Sequence, residues 1–232
     1  MRPSSLLALG TLLLAAGSAA RARADAPGLP SVPLPRNHPC RIPDESFTPF
    51  YEKDGVAIRT HPLGSGRAVV RSAAEIPAPP ETVAKFLADV GAWSAWVKRL
   101  RSSARVGGEP PAFHLSYHAP WPFSDRDYGL APSLSRDAEG HLVLWWESAA
   151  DRLAPPLHGV IRVREIEGGL VLLPGTGEGA TRVVYSDVAV LGGRLPGWAI
   201  RESWRRGPVG ILGALRRHFE EEAERGPPPG LP

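Results

Sequence analysis

The sequence predicts an α+β domain in which an antiparallel sheet is followed by one long C-terminal helix. Three observations carry this expectation. Strand-like alternation comes in two blocks, residues 55–76 and 112–190. Helical periodicity is confined to residues 79–97 between those blocks and to residues 196–224 after them. Strands and helices therefore do not alternate as βαβ units, which points to α+β and not to a parallel α/β sheet.

In chain order, residues 1–24 read as an export signal. Arg2 supplies a positive start, Leu6 to Ala16 form an apolar run of 11 residues, and Ala22-Arg23-Ala24 is a small-residue cleavage site before Asp25. A run of 11 residues is too short for a helix to cross a hydrocarbon layer of roughly 30 Å. The protein is thus expected to be exported, periplasmic or secreted after cleavage near Ala24. Residues 25–43 contain six prolines and are expected to form an extended linker. Residues 225–232, with Pro227-Pro228-Pro229 at their centre, are expected to be a disordered tail, which leaves residues 44–224 as the folded domain.

Within that domain, Gly55 to Thr60 alternates and residues 67–76 answer it across Leu63-Gly64-Ser65-Gly66, a hairpin turn. Pro79-Pro80 opens a helix whose Val83, Phe86, Leu87 and Val90 share one face, and a short second helix is expected over residues 92–97. Strands are expected at residues 112–118, 126–133, 141–148, 158–167, 170–174 and 181–190. Asp137-Ala138-Glu139-Gly140 and Glu167-Gly168-Gly169 have the composition of turns. The last helix places Val209, Leu212, Leu215 and Phe219 on one face and most of its charges opposite.

Composition limits the function classes. The chain has 232 residues, enough for one sizeable domain, and Cys40 is its single cysteine, so no internal disulfide can form. Its net charge of +3 resides in Arg2, Arg21 and Arg23; the rest holds 24 basic and 24 acidic residues. A charge-neutral domain argues against nucleic acid as a partner. His114 and His118 share a strand face but lie roughly 13 Å apart, which is no metal pair. Neither a nucleophile elbow nor a phosphate-binding glycine loop is present, so no metal, cofactor or catalytic residue is expected.

Five blocks occur in a telling order: Asp54-Gly55-Val56, Trp93-Ser94-Ala95-Trp96-Val97, the run from Pro120 to Tyr128 with Arg126-Asp127-Tyr128 at its end, Gly159-Val160-Ile161-Arg162-Val163, and Arg182-Val183-Val184-Tyr185 leading into Gly192-Gly193 and Leu195-Pro196-Gly197-Trp198. Together they resemble the START domain, the StAR-related lipid-transfer family, over most of residues 54–222. The resemblance implies a helix-grip fold, in which a curved antiparallel sheet wraps around the long C-terminal helix with an internal hydrophobic cavity. It also implies that a monomer binds, and transfers, one lipid or other hydrophobic small molecule without catalysis, with transient contact to a membrane surface. The expected ligand-contacting residues are Trp96, Tyr117, Arg126, Trp146, Tyr185, Leu195 and Trp198.

Each candidate has a plainer alternative. Arg126 and Asp127 point to opposite faces of a strand, so one ties the strand to a loop or helix while Arg126 is the candidate to meet a polar head group. Most of the seven tryptophans belong to the core by size alone. Gly192-Gly193 before Pro196 is either a hinge or an ordinary tight turn. Where sterol-binding members carry a second arginine six residues after the first, this chain has Pro132, which turns the expectation away from a sterol. The alternative functions are a cyclase/aromatase-like enzyme using Tyr117, His114 or Asp187 as acid or base, and a ligand-free interaction module.

Overall fold

A computed structural model of the protein describes residues 29–225. The expected export signal lies outside the described residues, as do residues 226–232 of the expected tail. Ten strands form one open sheet: β1 (Thr48–Lys53), β2 (Val56–Gly64), β3 (Arg67–Ile76), β4 (Leu100–Val106), β5 (Ala112–Tyr117), β6 (Arg126–Arg136), β7 (Leu142–Ser148), β8 (Ile161–Val163), β9 (Glu165–Pro174) and β10 (Thr181–Val190). Three helices are α1 (Pro80–Ala88), α2 (Trp93–Trp96) and α3 (Gly197–Arg225). The spatial order is β1-β2-β3-β10-β9-β7-β6-β5-β4, antiparallel throughout, and β8 pairs parallel to the start of β6.

Both longer helices cover one face of the sheet. α1 packs on β7 and β9, and α3 packs on β2 and β3. Strand alternation therefore sends Ile58, Val70, Leu144, Leu170 and Val183 inward to meet Leu87, Leu212 and Phe219 in one core. This is the helix-grip architecture. α3 runs about 44 Å for its 29 residues. Its C-terminal half is buried at Leu212, Ala214, Leu215 and Phe219, whereas Trp198 to Gly207 remain exposed or half-buried.

The strands differ from the sequence expectation where alternation is weak or interrupted. β1 and β4 were not expected, because both edge strands are mostly exposed and carry no apolar stripe. Gly168-Gly169 lies inside β9 and makes no turn. A Cβ on Gly169 would fall 2.7 Å from the Leu144 carbonyl oxygen, and one on Gly168 would fall 2.7 Å from Cβ of Asp187. These glycines permit close approach of neighbouring chain. The single strand expected over residues 158–167 is split into β8 and β9.

The proline-rich stretch also departs from the expected linker: from Leu29 onward it is a strap laid on the outer face of the sheet. Leu34 packs with Val143 and Trp145, and Trp145 Nε1 donates to the Val32 carbonyl at 3.2 Å. Proline removes backbone donors, but Arg71 supplies side-chain donors to the strap carbonyls. Its guanidinium reaches Pro39 O at 3.0 Å, Ile42 O at 2.8 Å and Asp44 Oδ1 at 2.6 Å, and stacks 4.1 Å over the Phe47 ring. Cys40, within the stretch expected to be an extended linker, instead lies half-buried in this outer cluster, where burial pushes its thiol up to about 12.

Candidate functional site

The sheet has one unsealed end. The β5–β6 loop (118–125), the loop before β8, the β10–α3 loop (191–196) and the β2–β3 turn all fall there by register: Tyr117 opposes Arg126, Val190 opposes Glu165, and Asp187 opposes Val70 near the start of β3. The inward residues at this end, Tyr117, Tyr128, Ile166, Asp187 and Ala189, are only half-buried. Deeper in, Trp146 and Tyr185 are buried, with ring centroids 6.1 Å apart.

Asp187 is the unusual group of this face. Its row across the sheet runs Trp146, Gly168, Asp187, Val70, with no cation among these cross-strand neighbours. Burial pushes its carboxyl up to about 7 against the counter-effect of the neighbouring Tyr185 hydroxyl. Burial likewise raises the hydroxyls of Tyr185 and Tyr128 above the ordinary tyrosine range. On the inner side the indole nitrogens of Trp96 and Trp146 and the Ser72 hydroxyl are buried with no hydrogen-bond partner among the described residues.

Arg126 and Asp127 divide their work between the two faces. On the outer side Asp127 takes two bonds from Arg162, Nε at 2.8 Å and Nη2 at 2.7 Å, and a third contact from His114 Nε2 at 3.1 Å. Burial works against this carboxylate, yet the bonds from Arg162 and then His114 hold it below the usual range. That fork fixes β8 against β6. Arg126, buried at the unsealed end, donates to Ser124 O and Leu191 O at 2.5 and 3.5 Å. It thereby ties the β5–β6 loop to the β10–α3 loop.

Around this end stand four of the exposed large apolar side chains, Leu63, Trp121, Leu157 and Trp198, the tryptophans 92% and 60% exposed. Trp198 leans on Phe123 with ring centroids 5.8 Å apart. Gly192 and Gly193 hold φ of 66° and 68°, and a Cβ on either would strike Ile161 at 2.9 or 2.7 Å. Positive φ and close packing on β8 account for both glycines as a tight turn.

The START domain profile matches residues 51–225. The chain belongs to the START domain family. A STAR-related lipid transfer protein from Xanthomonas axonopodis is 25% identical, covers 75% of this chain and 99% of its own, and superposes with a TM-score of 0.67. Two human START structures share the fold at 16% identity. StAR-related lipid transfer protein 5 covers 79% of this chain and 91% of its own at TM-score 0.66, and STARD10 covers 84% and 85% at 0.64. No curated protein matches the sequence significantly. START membership implies a lipid or other hydrophobic ligand.

The START frame places the seven expected residues unequally. Tyr117 and Arg126 are cross-strand partners at the unsealed end, and Trp146 and Tyr185 meet deeper on the inner face. Trp96 sits apart in α2 against Phe86 and Trp93, while Leu195 and Trp198 lie on the rim. Pro132 stands directly opposite Trp146. Ser72 and Tyr128 were missed as site residues, and Asp187 was considered only as an acid or base. The signal for two of them is parity: Ser72 and Asp187 are polar residues at positions whose i±2 neighbours, Val70, Ala74 and Tyr185, point into the core.

The recesses on the outer side of this START domain are not the expected internal cavity. Two recesses, of 430 and 210 Å³, lie on the outer side, one between Glu147, Glu167 and Val188, the other between Leu34, Cys40 and Val143. Much of the inner face is packed core. Asp137, Glu139 and His141 bring ligand atoms within 4.8 Å of one another in the β6–β7 turn. Asp137 already accepts from the His141 backbone at 2.8 Å and contacts its Nδ1 at 2.9 Å, the pattern of a closed turn.

Proposed function

We propose that this START domain is an exported, monomeric carrier that takes one hydrophobic molecule between α3 and the inner face of the sheet and exchanges it at a membrane, without catalysis. One observation carries the reading. The end that leaves the inner face unsealed is the end that exposes Trp121, Leu157 and Trp198. Exposed apolar side chains grouped at an opening suit a membrane interface, where indole rings are favoured. Removing an apolar molecule from water supplies about 25 cal/mol per Å² of buried area, so binding needs no reactive group. The ligand space forms when the half-buried N-terminal part of α3 moves off the sheet. The neutral charge balance outside residues 1–24 gives nucleic acid no footing.

The test is transfer of a fluorescent lipid between vesicles. The full chain is expected to transfer it, and the pair Trp121→Ser with Trp198→Ser to cut vesicle association and transfer by about tenfold while binding of a water-soluble apolar dye is kept. Transfer by the double variant at the unaltered rate would remove the membrane-contact reading. Asp187 favours a second reading, since a half-buried carboxyl held at about 7 has the pKa of an acid–base group. Ligands recovered chemically unchanged after long incubation would set that reading aside.

A further inference from the structure

The ligand class is narrowed by polar atoms that the packed core leaves without partners. Trp146 and Ser72 are 3% and 1% exposed, both on the inner face, and neither the Trp146 indole N–H nor the Ser72 hydroxyl has a hydrogen-bond partner among the described residues. Their neighbours in the sheet explain why. Trp146 is flanked in register by Pro132 and Gly168, neither of which carries a side-chain acceptor. Ser72 is flanked by Ile58 and Tyr185. Buried polar atoms are almost always satisfied, and an unmade bond at a buried donor is a standing cost.

Tyr185 links the two orphans: its Cα is the register partner of Ser72 and its ring lies 6.1 Å from Trp146. Asp187 lies two residues further along the same strand face, with only Gly168 between it and Trp146 in the row. The cluster thus brings an indole donor, two hydroxyls and a carboxyl to one region of an otherwise apolar face. We propose that this cluster is a subsite for the polar end of the ligand, and that the ligand is an apolar chain or ring system ending in an uncharged oxygen acceptor, such as a ketone or ester carbonyl. An indole N–H only donates, so it selects an acceptor. Asp187 without a paired cation repels an anionic end; an ammonium, which that carboxyl attracts, has no acceptor to offer and leaves the Trp146 indole N–H unsatisfied. The inference rests on the proposed carrier function and specifies what it carries.

The experiment compares four probes of matched chain length on the full protein: tridecane, undecyl methyl ketone, tridecanoate and tridecylamine, each displacing a bound fluorescent dye. The ketone is expected to bind about tenfold or more tighter than the other three, the value of one satisfied buried donor. Trp146→Phe should erase the ketone's advantage over tridecane, and Ser72→Ala should erase part of it. Should Trp146→Phe fail to fold, the Trp146 indole N–H resonance of the unaltered protein decides: the ketone moves it and tridecane does not. Equal affinity for ketone and tridecane, preference for either ion, or a Trp146→Phe variant that weakens all probes alike overturns the subsite while leaving the carrier intact. Failure of all four probes to displace the dye removes the carrier reading, and the subsite with it.

Discussion

His38, buried, and Asp187, half-buried, are titratable groups on opposite faces of one sheet, and their effects on stability run in opposite directions. His38 Nδ1 accepts from the Cys40 backbone N–H at 3.2 Å, so its Nε2 carries the proton in the neutral ring. Burial holds this imidazole at about 4. The unfolded chain takes up a proton as pH falls below about 6.5 and the folded chain does not, so stability drops by about 3 kcal/mol between there and pH 4. Asp187 titrates at about 7 when folded and near 3.8 when unfolded. The folded state therefore holds its proton longer, and stability drops by about 4 kcal/mol as pH rises through that window. The two slopes oppose, so the unaltered protein should show a nearly flat profile from them between about pH 4 and 6.5. Urea unfolding across that range should lose stability with rising pH in His38→Gln. In Asp187→Asn it should gain stability with rising pH and be more stable at neutral pH. Identical slopes in both variants would contradict these assignments.

The element that decides exchange is α3, and its weak point is internal. Pro208 has no N–H for the Trp204 carbonyl, and Gly207 and Gly210 flank it with the poorest ordinary helix formers. The buried C-terminal part begins just beyond, so the helix is divided into an anchored half and a loosely held half at this proline. Pro208→Ala should raise the thermal midpoint, the restored bond outweighing the lost ring contacts by about 1–2 kcal/mol. It should also slow lipid transfer between vesicles with equilibrium affinity kept. Faster transfer, or none of either effect, would move the pivot elsewhere, to Gly192-Gly193 first. α3 itself was legible because its apolar face repeats over several turns, and so were the inner strands, where parity sorts buried from exposed residues. Edge strands β1 and β4 carry no such contrast. The strap was illegible for another reason: prolines announce an extended chain but not what it lies against, and the arginine that clasps it is distant in sequence.

At the scale of the molecule, the fold is a sheet closed at one end by α1 and the C-terminal half of α3 and left unsealed at the other. The family could be read from five motif blocks, and with it Tyr117, Trp146, Tyr185 and Trp198 as residues of the inner face and rim. What the motifs could not convey is how the interior is filled. Packing depends on pairs such as Trp146 with Tyr185 that meet only through three strands, and the proposed ligand space is one made by movement of α3. The central claim is that one hydrophobic molecule occupies that space. Native mass spectrometry of the delipidated full chain, re-isolated after incubation with vesicles of mixed lipid classes, tests it most directly. The account predicts a single adduct of one lipid mass per chain, lost when Trp146 is replaced by aspartate in a variant that still folds. The bare chain mass after exposure to every major lipid class would contradict it.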